Sequence, residues 1–259
     1  MAKALVTGAS AGIGLEFIHQ LAAKGYDVVL VSRNKNKLDE IASDVAKKYS
    51  VKAEVLVADL GTDQGIKQTC DFISQNDIEF VVNNAGLGIN KPFHATDLAE
   101  EVNLLNVLVK APLEISHAVI VQMMRKNKGF IVNVGSVAAW TTSGTYSAAK
   151  VWLTSFSESL NTNYKNSGIN VTVVAPGFTR TEFHQRAQMP TDEIPNWMWI
   201  STQLVVKDSI KAVLKAKPVV IPHIKYKLLF VFLKIHLEVL FVSFLILINL
   251  ADNKRNCFR

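Results

Sequence analysis

Short, almost uninterrupted apolar runs alternate with helical patterns from the first residues of this chain, and that alternation narrows the architectures open to it. KALVT, YDVVLV, VKAEVLVA, IEFVVN, GFIVNV and INVTVV each read as a strand. A strand with one wet face would alternate apolar and polar side chains; these do not, so the sheet is covered on both faces and its strands run parallel. Between them, apolar residues recur at helical spacing: Ile13, Phe17 and Leu21; Leu38, Ile41, Val45 and Ala46; Ile66, Cys70 and Ile73; a long region from about Leu98 to Met124; and residues 145–165. Val205, Val206, Ile210, Val213 and Leu214 fit one more amphipathic helix, and PVVIP a brief last strand. The expected core is a doubly wound α/β domain.

Composition excludes several function classes. With 259 residues, 49% of them hydrophobic and 19% charged, the chain can bury a large core, which argues against disorder and against a disulfide-stapled miniature. The net charge of +6 is unevenly placed: residues 1–206 hold 18 Lys+Arg against 19 Asp+Glu, and residues 207–259 hold 10 against 3. A nucleic-acid enzyme would surround its site with basic residues, whereas here the excess belongs to one terminal segment. Cys70 and Cys257 are far apart and no Cys/His spacing suits a metal, so no metal site is expected and a reducing compartment fits. The N-terminus turns glycine-rich too early for a signal peptide, which points to a cytoplasmic catalytic domain.

The first strand runs into TGASAGIG, placing Gly8, Gly12 and Gly14 between a strand and a helix. Missing Cβ atoms there let a pyrophosphate approach the backbone, and the helix N-terminus offers N–H groups to its charge. The spacing is GxxxGxG rather than the dinucleotide consensus GxGxxG, so the context carries the argument more than the spacing. After the second strand, an acidic residue would bind a ribose hydroxyl and a basic one a 2′-phosphate; Ser32, Arg33 and Lys37 stand there without an acid, which favours NADP(H). Asp59 ends the third strand, where it either contacts an adenine amino group or, with Thr62 as the other candidate, caps the next helix.

Tyr146 and Lys150 in TYSAAK lie four residues apart on one helical face. A neighbouring ammonium favours phenolate, so such a tyrosine can exchange a proton with a carbonyl or alcohol. Ser136, at the carboxyl end of the fifth strand, is placed to donate to the same oxygen, with Ser143 as a lesser alternative.

Together these pieces resemble the classical short-chain dehydrogenase/reductase family: residues 7–14, Asn83-Asn84-Ala85-Gly86, Asn103 in VNLLN, Ser136 in NVGSVA, Tyr146 and Lys150 in YSAAK, and Pro176-Gly177 in APGFTRT occur in family order through most of residues 3–220. The resemblance implies one Rossmann-like domain with a mostly parallel seven-stranded sheet, catalytic Ser136, Tyr146 and Lys150, and Asn103 supporting a proton-relay water. It implies cofactor contacts at Gly8, Ser10, Gly12, Ile13, Gly14, Arg33, Asp59, Asn84, Ala85, Gly86, Tyr146, Lys150, Pro176, Gly177 and Thr179, with Thr181 less securely placed and Asn83 bracing the sheet. The implied reaction is interconversion of a ketone or aldehyde with an alcohol, and homo-oligomerisation is an option the family leaves open. The competing reading is a catalytically silent nucleotide-binding or scaffold protein. Ser136 precedes Tyr146 by ten residues, a short interval for the family, which implies a compact intervening loop.

Two segments lie beyond this core pattern. Residues 178–203 are irregular and end in Trp197, Met198, Trp199 and Ile200; they are either a lid over the ligand site or a surface loop. Lys91, Pro92, Phe93 and His94 are candidates for the pocket rim. The domain division expected is 1–222 for the NADP-binding catalytic domain and 223–259 for a basic, hydrophobic extension. Residues 228–250 carry 18 apolar side chains in 23 positions, interrupted by Lys234, His236 and Glu238. A membrane-associated helix and a lid over the pocket both remain open for it, and a membrane-side location would suit a hydrophobic or lipid-like substrate.

Overall fold

Seven strands pair in parallel throughout, in the order β3-β2-β1-β4-β5-β6-β7. They are β1 (Lys3–Thr7), β2 (Asp27–Ser32), β3 (Ala53–Val57), β4 (Ile78–Asn83), β5 (Gly129–Val134), β6 (Ile169–Val174) and β7 (Val219–Val220). The computed structural model describes residues 2–192 and 194–228. All six apolar runs of the sequence form strands, and the central ones are buried on both faces because helices cover both. The registers Leu5↔Val29 and Leu5↔Val81 place β1 between β2 and β4, where the strand order reverses direction. A crevice opens beyond the carboxyl ends of the strands at such a reversal, and this positions the site.

One face carries α1 (Gly12–Ala22), α2 (Lys35–Tyr49) and α8 (Thr202–Val213); the other carries α3 (Asp63–Gln75), α5 (Ala111–Lys126) and α6 (Gly144–Tyr164). The second face holds a continuous core in which Ile66, Ile73, Ile115, Val119 and Met123 pack on Leu5, Val81, Ile131 and Val171. Thr62 caps α3 by accepting from the Gly65 N–H at 3.1 Å, so the N-cap falls to Thr62 and the Asp59 carboxylate is left for other partners.

The long helical region expected from Leu98 onward is α4 (Leu98–Leu105), a widened π turn (Asn106–Lys110) and α5 in sequence. Pro112, in the first turn of α5, has no N–H to return to the carbonyl four residues back, and the wide turn directly precedes it. Among the described residues, Leu98–Lys126 is also the one stretch long and apolar enough to cross a membrane by length and composition. Half of its apolar window is buried, and its inward residues form the sheet cover just described.

A polar ladder crosses this otherwise apolar interior. Asn83 donates to Asn133 Oδ1 at 2.8 Å and to Ser116 Oγ at 3.3 Å; Asn133 donates to Ser157 Oγ at 2.8 Å, and Ser157 to the Leu153 carbonyl at 2.6 Å. All four side chains are buried, so the ladder ties β4, β5, α5 and α6 in one arrangement, the bracing expected of Asn83.

The sheet and these helices belong to one unit, Met1–Pro222, and His223–Arg259 form a second. Of the second unit the described residues are 223–228, a helical turn whose start is fixed by the Lys225 N–H donating to His223 Nδ1 at 3.3 Å. The apolar stretch 228–250 lies, beyond Leu228, outside the described residues.

Candidate functional site

A cavity of about 590 Å³ occupies the crevice beyond the strand ends. Its floor is the turn after β1. Gly8 and Gly12 have φ of +66° and +55°, which side chains with a Cβ rarely adopt. Gly14 is tighter still, since a Cβ there would run into the Gly8 carbonyl and come within 2.5 Å of Asn84 Nδ2. Gly14 is therefore not in the cavity wall as expected but beneath it, holding α1 against the turn. Ala11, the N-cap of α1, has no side chain to occupy the first-turn N–H groups, and no acid stands in that turn. The opening is a positive helix end facing a space lined by Gly8, Ser10, Gly12 and Ile13.

Thr7 holds this turn to the neighbouring strand, a role the sequence reading did not assign. Its hydroxyl accepts from the Asn84 and Ala85 N–H groups at 2.9 and 3.0 Å, and Asn84 Nδ2 donates to the Thr7 and Gly8 carbonyls at 2.9 and 3.2 Å. A buried threonine closing an apolar strand beside a glycine was the available signal. These bonds bring Asn84, Ala85 and Gly86 into the cavity wall opposite the glycine turn.

At one end the cavity is polar. Ser32 donates to Ser10 at 3.1 Å, and Arg33 Nη1 lies 3.9 Å from Asp59 Oδ2, the arginine side chain largely in solvent and the aspartate partly so. Asp59 Oδ1 accepts from the Gly61 N–H at 2.9 Å. Asn103 reaches the same wall from α4, beside Gly61, while Asn106 donates to the Gly61 carbonyl at 2.9 Å.

At the other end, Ser136, Tyr146 and Lys150 converge. Ser136 sits two residues past β5 in extended conformation, clamped because the Gly135 N–H donates to Val174 and the Val137 N–H to Pro176. Its hydroxyl accepts from the Ala138 N–H at 3.1 Å and stands near enough to the Tyr146 phenol to favour its ionised form. Ser143 does not line the cavity; it is the N-cap position of α6 and meets Thr141 in solvent. Lys150 is buried, donates to the Val134 carbonyl at 2.8 Å, and lies 5.6 Å from the Tyr146 ring centroid.

Burial dominates both titrations. It pushes the Tyr146 phenol up to about 12, with the Ser136 hydroxyl acting against it, and it pushes the Lys150 ammonium down to about 8. The expected net lowering of the tyrosine is thus reversed: desolvation outweighs the favourable Ser136 hydroxyl.

Pro176, Gly177, Thr179 and Thr181 complete the wall from the chain after β6. Between the two readings for residues 178–203, the first part covers the cavity: α7 (Phe183–Arg186) lies along its edge, with Glu182, Phe183, His184 and Arg186 in the lining. The aromatic run at its end packs elsewhere, Trp199 against Phe178 and His184. Lys91 to His94 are also outside the lining; Lys91 pairs with Glu100 at 3.0 Å and Phe93 is exposed. Among the described residues, no group of three or more His, Cys, Asp or Glu is placed to hold a metal.

The short chain dehydrogenase family model matches residues 2–191. A very-long-chain 3-oxoacyl-CoA reductase of Anas platyrhynchos is 31% identical over 200 residues, 74% of this chain and 64% of that protein. The inactive hydroxysteroid dehydrogenase-like protein 1 of Homo sapiens is 32% identical over 184 residues, 69% of this chain and 56% of that protein. The chain thus spans under two thirds of the length of either relative. A short-chain dehydrogenase from Sphingobium yanoikuyae, solved in complex with NADPH, superposes with a TM-score of 0.84 at 27% identity, covering 93% of this chain and 96% of that one. The chain belongs to the short-chain dehydrogenases, a family of oxidoreductases.

Proposed function

We propose that this chain is an NADP(H)-dependent oxidoreductase that interconverts a ketone or aldehyde and an alcohol, working chiefly as a carbonyl reductase. The observation that carries the reading is that one cavity contains both an uncapped, glycine-lined helix end and the Ser136–Tyr146–Lys150 set. A dinucleotide fits the residues present. Its pyrophosphate would lie over the turn at Gly8, Ser10, Gly12 and Ile13; Arg33 would face a 2′-phosphate; Asp59 and Ala85 would flank the adenosine half; and Asn84, Gly86, Pro176, Gly177 and Thr179 would frame the nicotinamide half, with Thr181 toward the phosphates.

When bound, the reduced cofactor supplies the hydride. Ser136 orients the carbonyl oxygen by hydrogen bonding, and Tyr146 gives that oxygen its proton, so that carbonyl becomes alcohol and phenol becomes phenolate. A phenol held near 12 is fully protonated at neutral pH and ready to donate. Lys150, a cation at that pH, then stabilises the phenolate, while its bond to Val134 fixes its position. Asn103 lines the same cavity beside Gly61, and the family resemblance gives it the support of the water through which the tyrosine regains a proton. The relatives named as 3-oxoacyl-CoA reductases support a hydrophobic, lipid-like substrate.

A second reading, a nucleotide-binding protein without turnover, is favoured by the relative whose name marks it inactive. Supplying NADPH with aliphatic, aromatic and lipid-like carbonyl compounds separates the two: alcohol formation matched by NADPH consumption supports the reductase. A folded sample that binds no NADPH rejects the cofactor, and binding without turnover across the panel favours the silent protein. Residues 1–222 carry this chemistry, and the extension 223–259 brings it to a membrane surface. Flotation with anionic vesicles of the full chain, and not of a form ending at Pro222, is the expected result; equal flotation of the two rejects that role.

A further inference from the structure

We infer that Phe183 is the specificity-determining residue of this site, a fixed aromatic wall that admits carbonyl compounds with a narrow, unbranched or flat substituent and turns away branched ones. The inference rests on the reductase reading above. Its ring centroid lies 5.9 Å from that of Tyr146, tilted by 45°, so one of the two groups on a carbonyl held at the Tyr146 hydroxyl would lie beside it. Leu87 lines the cavity as well and belongs with Tyr146 to the apolar cluster around Leu104 and Val107, so the surface facing the substituent is apolar.

The ring has little room to retreat. Beside it in the lining is Gly88, where even a Cβ would come 3.1 Å from Phe183 Cζ and 3.3 Å from Ala187 Cβ. Beside it the His184 imidazole stands edge-on at 5.5 Å, backed by Trp199 at 5.2 Å. The segment that carries it has a contact at either end. Before α7, Glu182 pairs with Lys37 of α2 at 3.5 Å; after it, Asn90 donates to the Gln188 carbonyl at 2.9 Å. A side chain flanked by Gly88 and His184, on a segment with a contact at either end, selects by shape, because the cost of moving it falls on the misfitting substrate.

The test uses the full chain loaded with NADPH and two isomeric methyl ketones, one straight-chain and one neopentyl, with binding read by quenching of NADPH fluorescence and turnover followed in parallel. The wild-type protein is expected to favour the straight-chain ketone. Phe183→Ala and the milder Phe183→Leu are expected to shrink that preference, the alanine by about tenfold or more, the scale on which apolar pockets discriminate by size. NADPH affinity should stay near the wild-type value in both. An unchanged preference in variants that fold and bind NADPH would overturn the inference, as would a wild-type protein that binds the two ketones equally or neither. A shift in binding preference with no turnover by any form would uphold the filter and reject the reductase reading instead.

Discussion

Replacing Arg33 with alanine separates recognition of a 2′-phosphate from every other part of the cofactor cleft. The Arg33 side chain is 73% exposed and its acidic partner, Asp59, is 3.9 Å away, a largely exposed pair worth about 0–1 kcal/mol, so its loss leaves folding stability almost unchanged. A phosphate charge at about 4 Å would gain roughly 1 kcal/mol in bulk water and about 4 kcal/mol at an effective dielectric of about 20. The exposure of Arg33 places the interaction toward the lower end, about 1–2 kcal/mol, which corresponds to a roughly 5- to 30-fold rise in the NADPH dissociation constant. NADH lacks the phosphate, so its affinity should be untouched. Fluorescence titration of both cofactors with wild type and Arg33→Ala measures the ratio, and the wild-type preference should weaken with added salt as an exposed ion contact does. Equal losses for NADPH and NADH, or no loss for either, would refute the assignment of Arg33.

Gly14→Ala should abolish measurable cofactor binding, because the added methyl meets the Gly8 carbonyl and Asn84 and must push α1 off the turn; the overpacking should also cost about 1–3 kcal/mol in urea unfolding, against a helix-propensity gain of about 1 kcal/mol. The pH profile of carbonyl reduction should be level below about pH 8 and fall above it, since Lys150 loses its proton through that value while Tyr146, near 12, keeps its own; a profile that rises through pH 8 would contradict the role given to Lys150. Asn133→Ala should destabilise the fold by about 1–3 kcal/mol in the same unfolding assay, because the buried Asn83 amide loses its 2.8 Å acceptor and keeps only Ser116, while the Ser157 oxygen loses its donor and keeps only its own bond to Leu153, with NADPH affinity in the surviving folded fraction little changed.

The strands were legible because each is an apolar run bounded by glycine, proline or polar turns, and burial on both faces leaves no other reading of such runs. The strand-end residues of the site were legible for the same reason: once β1, β4, β5 and β6 are placed, Gly8, Asn84, Ser136 and Pro176 must meet at their carboxyl ends. What stayed hidden depends on contacts between distant segments. The π turn at Asn106–Lys110 preserves the apolar pattern of the helix around it, so only Pro112 hinted at a break. The direction of the Tyr146 shift depends on how completely its surroundings exclude water, which a four-residue spacing to lysine does not encode. Phe183 lies in a stretch without periodicity, and its place beside Tyr146 follows from the two ties at Glu182 and Gln188, neither of which leaves a local signature.

Proton donation by Tyr146 is the centre of the account, and a single-turnover experiment reaches it directly. Protein loaded with NADPH is mixed with a ketone or aldehyde that the wild type turns over, and the loss of cofactor absorbance is followed for wild type and Tyr146→Phe. The account predicts that the phenylalanine variant binds NADPH as wild type does and reacts about 10²- to 10⁴-fold more slowly, the usual contribution of a positioned general acid. A variant that consumes NADPH at the wild-type rate would contradict it.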